Sequence, residues 1–162
     1  MATLTTVYGA NATKRDQTVP SVKLDPGQNR GAVRVLYDEY TVDAADEFGT
    51  SGLIKAMVIP KGATLIGGRV ICPATGATGI FDIGWAASAE LDSSGSAVVA
   101  ADADGIFAQI DPGAAAVDSA LIATAGFTKK FNAEVQVEID CTEATADMGT
   151  KKIQLMLLIV EN

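Results

Sequence analysis

Histidine is absent from this chain of 162 residues, and aromatic residues make up only 6% of it. Without histidine, the chain lacks the most frequent general base, the usual serine and cysteine triads and the most frequent metal ligand. The only cysteines, Cys72 and Cys141, are too few for a disulfide framework and wrongly spaced for a zinc site. We therefore expect a protein that is not an enzyme and that needs no cofactor and no metal.

Positive charge is also scarce, because 12 basic residues face 20 acidic ones and leave a net charge of −8. Binding to nucleic acid needs clustered lysine and arginine, so nucleic acid is not expected as a partner. No apolar run approaches the ~18–20 residues that cross a bilayer, so a membrane is not expected either. Residues 1–8 lack the basic and apolar regions of a secretory signal. We expect synthesis in a reducing cytoplasm, with both cysteines as free, buried thiols.

The first 31 residues differ in character from the rest of the chain. They are polar and have little periodicity, and their four basic and two acidic residues give +2, whereas residues 32–162 carry −10. A basic, extended segment on an acidic domain is either a disordered tail or an arm that becomes ordered on a partner. The residues alone leave both alternatives open, and they predict a single domain over 32–162.

From residue 32 onward, short β-branched and aromatic runs alternate with glycine, proline and acidic loops, as is typical of strands. The predicted strands are 33–37, 40–42, 53–59, 63–72, 80–85, 131–142 and 152–160, with 97–100 and 106–110 as further candidates. About eight short antiparallel strands predict an all-β fold, a β-sandwich of the jelly-roll type. The connection at 60–62 is short enough for an antiparallel hairpin, with Gly62 free to adopt a positive φ.

The last two strands show different patterns. Apolar and polar residues alternate strictly over 131–142, which predicts one face on the core and one in water. Over 152–160, Ile153, Leu155, Leu157 and Ile159 share one face, yet Met156, Leu158 and Val160 make the other face apolar too. Such a strand lies centrally in a sandwich or at a subunit interface. We therefore predict Met156, Leu158 and Val160 as an oligomer interface.

The middle of the chain is ambiguous between helix and strand. Asp111-Pro112 before Ala114–Ala125 and Gly126 after it match helix start and stop signals. Residues 121–124 also suit a strand, so both alternatives stay open.

The remaining candidates for chemistry have simpler interpretations. Residues 102–105 resemble a calcium loop only in part, and a solvated turn is preferred. Glu134, Glu138 and Asp140 share a strand face that the alternation predicts to be wet, which argues against catalytic carboxylates of raised pKa. Trp85 shares an inward face with Phe81 and is predicted to lie in the core rather than on a carbohydrate-stacking platform.

Residues 53–85 carry the most specific pattern. A strand at 53–59, the turn Pro60-Lys61-Gly62, a strand at 63–72 and the run Gly79-Ile80-Phe81-Asp82-Ile83-Gly84-Trp85 follow one another. This succession resembles the jelly-roll decoration, or cement, proteins of tailed-bacteriophage heads, and the resemblance extends over residues 31–86.

The resemblance implies a structural virion protein that binds the outer surface of a phage capsid and stabilises contacts between capsomers. The implied partner is the major capsid protein, the implied assembly a homotrimer and the implied location the capsid exterior. The resemblance also favours the arm over the tail for residues 1–31. The arm residues expected to contact the capsid are Leu4, Val7, Tyr8, Lys14 and Arg15. The alternative function is a glycan- or receptor-binding β-sandwich of a phage tail or head fibre.

Overall fold

The computed structural model describes residues 32–41, 53–74, 80–112, 116–120, 123, 125–142 and 152–161. The arm, with Leu4, Val7, Tyr8, Lys14 and Arg15, lies outside these residues, and so does the boundary predicted after residue 31. The described residues form eight strands and no helix. The strands are β1 (Ala32–Thr41), β2 (Leu53–Ile59), β3 (Thr64–Cys72), β4 (Phe81–Trp85), β5 (Asp102–Ile110), β6 (Val117–Ser119), β7 (Val135–Cys141) and β8 (Lys152–Glu161).

The eight strands form two antiparallel sheets with the orders β1-β8-β3-β6 and β2-β7-β4-β5. The first strand pairs with the eighth, the second with the seventh, the third with the sixth and the fourth with the fifth. This nested pairing is the topology of a jelly roll, in which one long antiparallel ribbon wraps into two sheets. The all-β prediction and the strand number are confirmed.

The core lies between the two sheets and follows the alternation of the sequence. From β7 and the residues before it, Phe131, Ala133, Val135, Val137 and Ile139 are at most 3% exposed. From β8, the inward side chains are equally buried: Ile153, Leu155, Leu157 and Ile159. The period of two therefore predicts the inward faces of both strands correctly. Because one face of each sheet is buried, the register of the strands is strongly specified.

Trp85 is a core residue, as predicted, with 2% of its surface exposed. Its ring makes an edge-to-face contact with Phe131 at a centroid distance of 5.1 Å. Its indole N–H donates to the carbonyl of Ala100 at 3.0 Å. A buried tryptophan needs such an acceptor for its N–H group.

The turn at 60–62 has the expected conformation but a different role. Gly62 has a φ of +89°, and the amide of Ala63 donates to the carbonyl of Pro60 at 3.2 Å. The turn nevertheless does not close a hairpin, because β2 pairs with β7 and β3 pairs with β8 and β6. It is a corner that carries the chain from one sheet to the other. Backbone bonds from Gly62 to Phe131 and from Phe131 to Ala63 hold this corner in place.

The structure decides between the alternatives for one further segment and corrects the expectation for two others. The described part of 114–125 contains a short strand, β6, and no helix. Residues 102–105 are not a solvated turn, since they begin β5 and Gly105 packs against the Trp85 ring. The candidate strand at 97–100 is a loop with one isolated bridge, between Leu91 and Ala97.

Candidate interaction surface

The outer face of the sheet β1-β8-β3-β6 carries rows of apolar side chains. The register of β1 and β8 places Val33 opposite Val160, Val35 opposite Leu158 and Tyr37 opposite Met156. Residues directly opposite one another on antiparallel strands have neighbouring side chains. The rows continue on β3, where Arg69 lies opposite Met156 and Ile71 opposite Gln154.

The apolar residues of β1 are the most exposed part of this face. Val33 and Val35 are each 57% exposed and Tyr37 is 55% exposed. Met156 and Leu158 are half-buried because β8 lies between β1 and β3, whereas Val160 is buried. Gly67 of β3 lies beside Leu158, and a Cβ at that position would come within 3.2 Å of the Leu158 Cδ1 atom.

β1 carries apolar side chains on its outward side as well as on its inward side. Its inward positions include Arg34, Leu36, Asp38 and Tyr40, of which Leu36 and Tyr40 pack against the core. Its outward positions begin with Val33, Val35 and Tyr37. An alternating pattern ordinarily places the apolar side on the core. The exposed side of β1 is thus an exception, because it leaves two valines and a tyrosine in contact with solvent.

The charged residues on this outer face are paired with one another. The Lys152 ammonium donates to Glu39 at 2.7 Å, the Tyr37 hydroxyl donates to the same carboxylate at 2.7 Å, and the Gln154 amide donates to the Tyr37 oxygen at 2.8 Å. The hydrogen bond from Lys152 lowers the pKa of Glu39, and the bond to Glu39 raises the pKa of Tyr37. This network covers one end of the face.

A second pair joins β3 to β6. The Arg69 guanidinium donates two parallel hydrogen bonds to the Asp118 carboxylate, at 2.7 and 2.6 Å. Bidentate pairs of this kind fix geometry as well as charge. The bond from Arg69 lowers the pKa of Asp118. An open depression of about 120 Å³ lies between this pair and the Tyr37 network, with Ile71 and Met156 in its lining.

We call the outward residues of β1, β8, β3 and β6 the neutral face, because its charges cancel. They include Val33, Val35, Tyr37, Glu39, Lys152, Gln154, Met156, Leu158, Val160, Arg69, Ile71 and Asp118.

The outer face of the other sheet differs in charge. On β2, β7 and β4 its outward charged residues are Lys55, Glu138, Asp140 and Asp82, which leave −2. Asp82 and Asp140 lie directly opposite one another, where like charges are unfavourable. We call this surface the acidic face. The described residues contain seven basic and thirteen acidic residues, a balance of −6, so this entire surplus lies outside the neutral face.

The predicted interface residues Met156, Leu158 and Val160 thus lie together on the neutral face, and their contact with a partner stays a prediction. Local patterns did not single out Val33, Val35 and Tyr37, which lie beside them. The sequence shows that side chains alternate along β1, but this alternation does not tell which side of the strand faces outward. That choice depends on pairing with β8, more than 100 residues away.

The described residues hold no cluster that suggests catalysis. No group of three or more potential metal ligands occurs among them. Cys72 is a free thiol, and burial raises its pKa to about 11, which makes it a poor nucleophile at neutral pH. Glu134, Glu138 and Asp140 are exposed or half-buried on the outer side of the sheet, as expected for a wet face. Within the described ranges, no helix is long and apolar enough to cross a membrane.

The fold is shared with chains of two solved phage capsid structures. One, from the capsid of Ralstonia phage GP4, is 17% identical with a TM-score of 0.59, over 82% of this chain and 86% of that one. The other, from the capsid asymmetric unit of cyanophage Pam1, is 16% identical with a TM-score of 0.61, over 90% of this chain and 97% of that one. No family model matches the chain, and no curated protein matches it. At this identity the likeness establishes a common fold.

Proposed function

We propose that this protein is a structural component of a bacteriophage capsid that binds the outer surface of the assembled shell and stabilises the contacts between capsomers. The observation that carries the proposal is the fold similarity over nearly the whole length of chains found in two phage capsids. The pattern at residues 53–85 points independently to the decoration proteins of tailed phages. In this proposal, the major capsid protein is the partner and the capsid exterior is the location.

The charge distribution suits such a role. A compact, acidic domain is repelled by the polyanionic genome and other anionic surfaces, which favours a place on the outside of the particle. Affinity for the shell would come from many weak contacts over symmetric copies, here a homotrimer, rather than from one deep pocket. The arm, through Leu4, Val7, Tyr8, Lys14 and Arg15, would add contacts with neighbouring capsomers.

The alternative function, glycan recognition, is not supported at Trp85, which was its best candidate residue. Trp85 is 2% exposed and its ring packs in the core, so the ring face cannot stack on a sugar. No other observation favours a glycan site in the described part of the chain.

The test uses particles of the encoding phage from which this gene has been deleted. We expect complete shells to form without the protein and to lose their DNA at a lower temperature than wild-type particles. Purified protein added back should sediment with these shells at a saturable, fixed ratio to the major capsid protein and restore the release temperature.

Two outcomes would refute the decoration role. If no shells assemble without the gene, the protein is an integral part of the shell. If shells assemble and the added protein stays in the supernatant, it does not bind the capsid exterior.

A further inference from the structure

We propose that the neutral face is the surface through which copies of this chain contact one another. The proposal identifies a surface for contact between two copies, neutral face against neutral face, which is a two-fold contact separate from the homotrimer of the proposed function. Its role on a capsid rests on the proposed function, whereas the contact itself is a property of the isolated protein.

The first argument is the exposure of apolar side chains. Val33, Val35 and Tyr37 form one continuous exposed row on β1, and Met156 and Leu158 of β8 extend it toward the centre of the sheet. Contiguous apolar patches mark interaction sites, whereas single exposed apolar residues do not. The other exposed hydrophobic residues in the described ranges lie on the acidic face or in loops and are Leu53, Val58, Leu91 and Phe127.

The second argument concerns charge and selects a second copy as the occupant. Two copies of a chain with net charge −8 repel each other, and the repulsion is strongest where acidic surfaces meet. On the neutral face, Lys152 pairs with Glu39 and Arg69 with Asp118, so contact there brings no unpaired charge together. A partner of opposite charge would instead be attracted to the acidic face. A partner of the same net charge binds best where the charges are already paired. An apolar centre with paired charges around it therefore suits a second copy of this chain.

The third argument concerns area. β1 and β8 have ten residues each and β3 has nine. At ~3.3 Å per residue and ~4.8 Å between strands, the three strands cover roughly 450 Å² per copy. Two such surfaces bury about 900 Å² together, which is below the ~1,200–2,000 Å² of stable specific interfaces and in the range of weak, transient ones. We therefore expect association in the micromolar range or weaker, which becomes effective when a symmetric lattice holds several copies close together.

The experiment compares two exposed valines on edge strands of the two sheets. Val35 is 57% exposed on the neutral face, and Val58 is 42% exposed on the acidic face. Sedimentation equilibrium would be measured for the full chain, Val35→Lys and Val58→Lys. The protein concentration would run from roughly 1 to 500 µM, which includes concentrations at which weak interfaces associate. Each variant lowers the net negative charge equally, so general repulsion cannot explain a difference between them.

We expect the wild-type protein to associate. Val35→Lys should raise the dissociation constant at least about tenfold, because it places a charge in an apolar contact, and Val58→Lys should change it less than about twofold. Circular dichroism and melting temperature verify that each variant is folded, and Val33→Lys replaces Val35→Lys if the latter does not fold. A wild-type protein that remains monomeric over the whole range would overturn the proposal. So would Val35→Lys associating as well as wild type.

Sedimentation with capsids separates this proposal from the proposed function. If wild type is monomeric and Val35→Lys loses capsid binding, the neutral face contacts the capsid protein rather than another copy. The proposed function then stands and the present inference fails. If Val35→Lys is monomeric where wild type associates, the inference holds whether or not the protein binds capsids.

Discussion

Gly84 shows how closely the backbones of β4 and β5 approach each other. A Cβ at this position would lie 1.9 Å from the carbonyl oxygen of Asp102 and 2.5 Å from the carbonyl carbon of Ala103. Both atoms are backbone, so no side-chain movement relieves the clash. We expect Gly84→Ala to lower the free energy of unfolding by about 3 kcal/mol, as overpacking in a close-packed interior does.

The control for this prediction is Gly67→Ala. A Cβ at Gly67 meets the Leu158 Cδ1 atom at 3.2 Å, and that atom is the end of a flexible side chain. We expect a loss below about 1 kcal/mol, as for a substitution that a neighbouring side chain can accommodate. Urea unfolding followed by tryptophan fluorescence measures both variants. Equal losses would contradict the close approach of β4 and β5.

Cys72 provides a second prediction at the scale of the residue. Its side chain is 1% exposed, and burial raises its pKa to about 11. In a Cys141→Ser variant, we expect no reaction with a thiol reagent in the native protein at pH 8 and one reactive thiol per chain in denaturant without reductant. Reaction in the native state at the rate of a free cysteine would show that this thiol is accessible.

At the scale of the element, the two apolar faces of β8 contribute differently to the free energy of unfolding. Leu157 is fully buried between the sheets, whereas Met156 lies half-buried on the neutral face. We expect Leu157→Ala to lower stability by about 2–5 kcal/mol, because it leaves a cavity in the core. Met156→Ala should cost less than about 1 kcal/mol. Both are measured by urea unfolding at about 1 µM, below the concentration at which a weak interface associates. A cost for Met156→Ala equal to that for Leu157→Ala would show that both faces are core.

We expect the short strand β6 to be held in part by the ion pair between Arg69 and Asp118. It pairs with β3 through only three residues, and the Arg69 bond lowers the pKa of Asp118. A carboxyl group with a lowered folded-state pKa contributes stability that is present above its unfolded pKa of about 3.9 and lost as pH falls through the folded value. We therefore expect wild-type β6 to loosen only below about pH 4, where this carboxylate becomes protonated.

Asp118→Asn should loosen β6 at neutral pH as well, because the charged acceptor is gone. Hydrogen exchange of the amides of Val117–Ser119 should become faster in this variant at pH 7. The control is Asp92→Asn, which removes a carboxylate whose pKa the Ser94 hydroxyl lowers, in a loop away from β6. If exchange in β6 is the same in wild type and Asp118→Asn, the ion pair does not hold this strand.

At the scale of the whole molecule, the predicted arm and the body that follows it carry opposite net charges. Residues 1–31 carry +2 and residues 32–162 carry −10. We expect deletion of Ala2–Arg30 to change the melting temperature by only a few degrees, because the eight described strands, which begin at Ala32, pair with one another. Failure of the truncated chain to fold would place the arm within the body.

The same deletion should sharply weaken attachment to capsids, since an arm that becomes ordered across neighbours supplies contact area. Charge reversal at Lys14 and Arg15 should reproduce part of that loss, more strongly at low salt because screening is weaker there. Co-sedimentation at two salt concentrations measures both effects. If the truncated protein decorates capsids as well as the full chain does, residues 1–31 are only a tail.

The sequence by itself determined where most strands lie and which side of β7 and β8 enters the core. A period of two is a local property, and burial of one side follows from it directly, as at Val137 and Leu157. The absence of histidine and the acidic balance are properties of composition alone, so they constrain function whatever fold the chain adopts.

Only the tertiary structure decided which strands pair and what each outer face carries. β2 and β3 are joined by a tight turn yet lie in different sheets, because their hydrogen-bonding partners come from the end of the chain. The ion pair between Glu39 and Lys152 spans 113 positions and depends on the register of β1 with β8. That register also turns Val35 outward beside Leu158. The neutral face is thus formed by pairing between strands that are far apart in the sequence. Local patterns show where strands lie but not which distant strands pair.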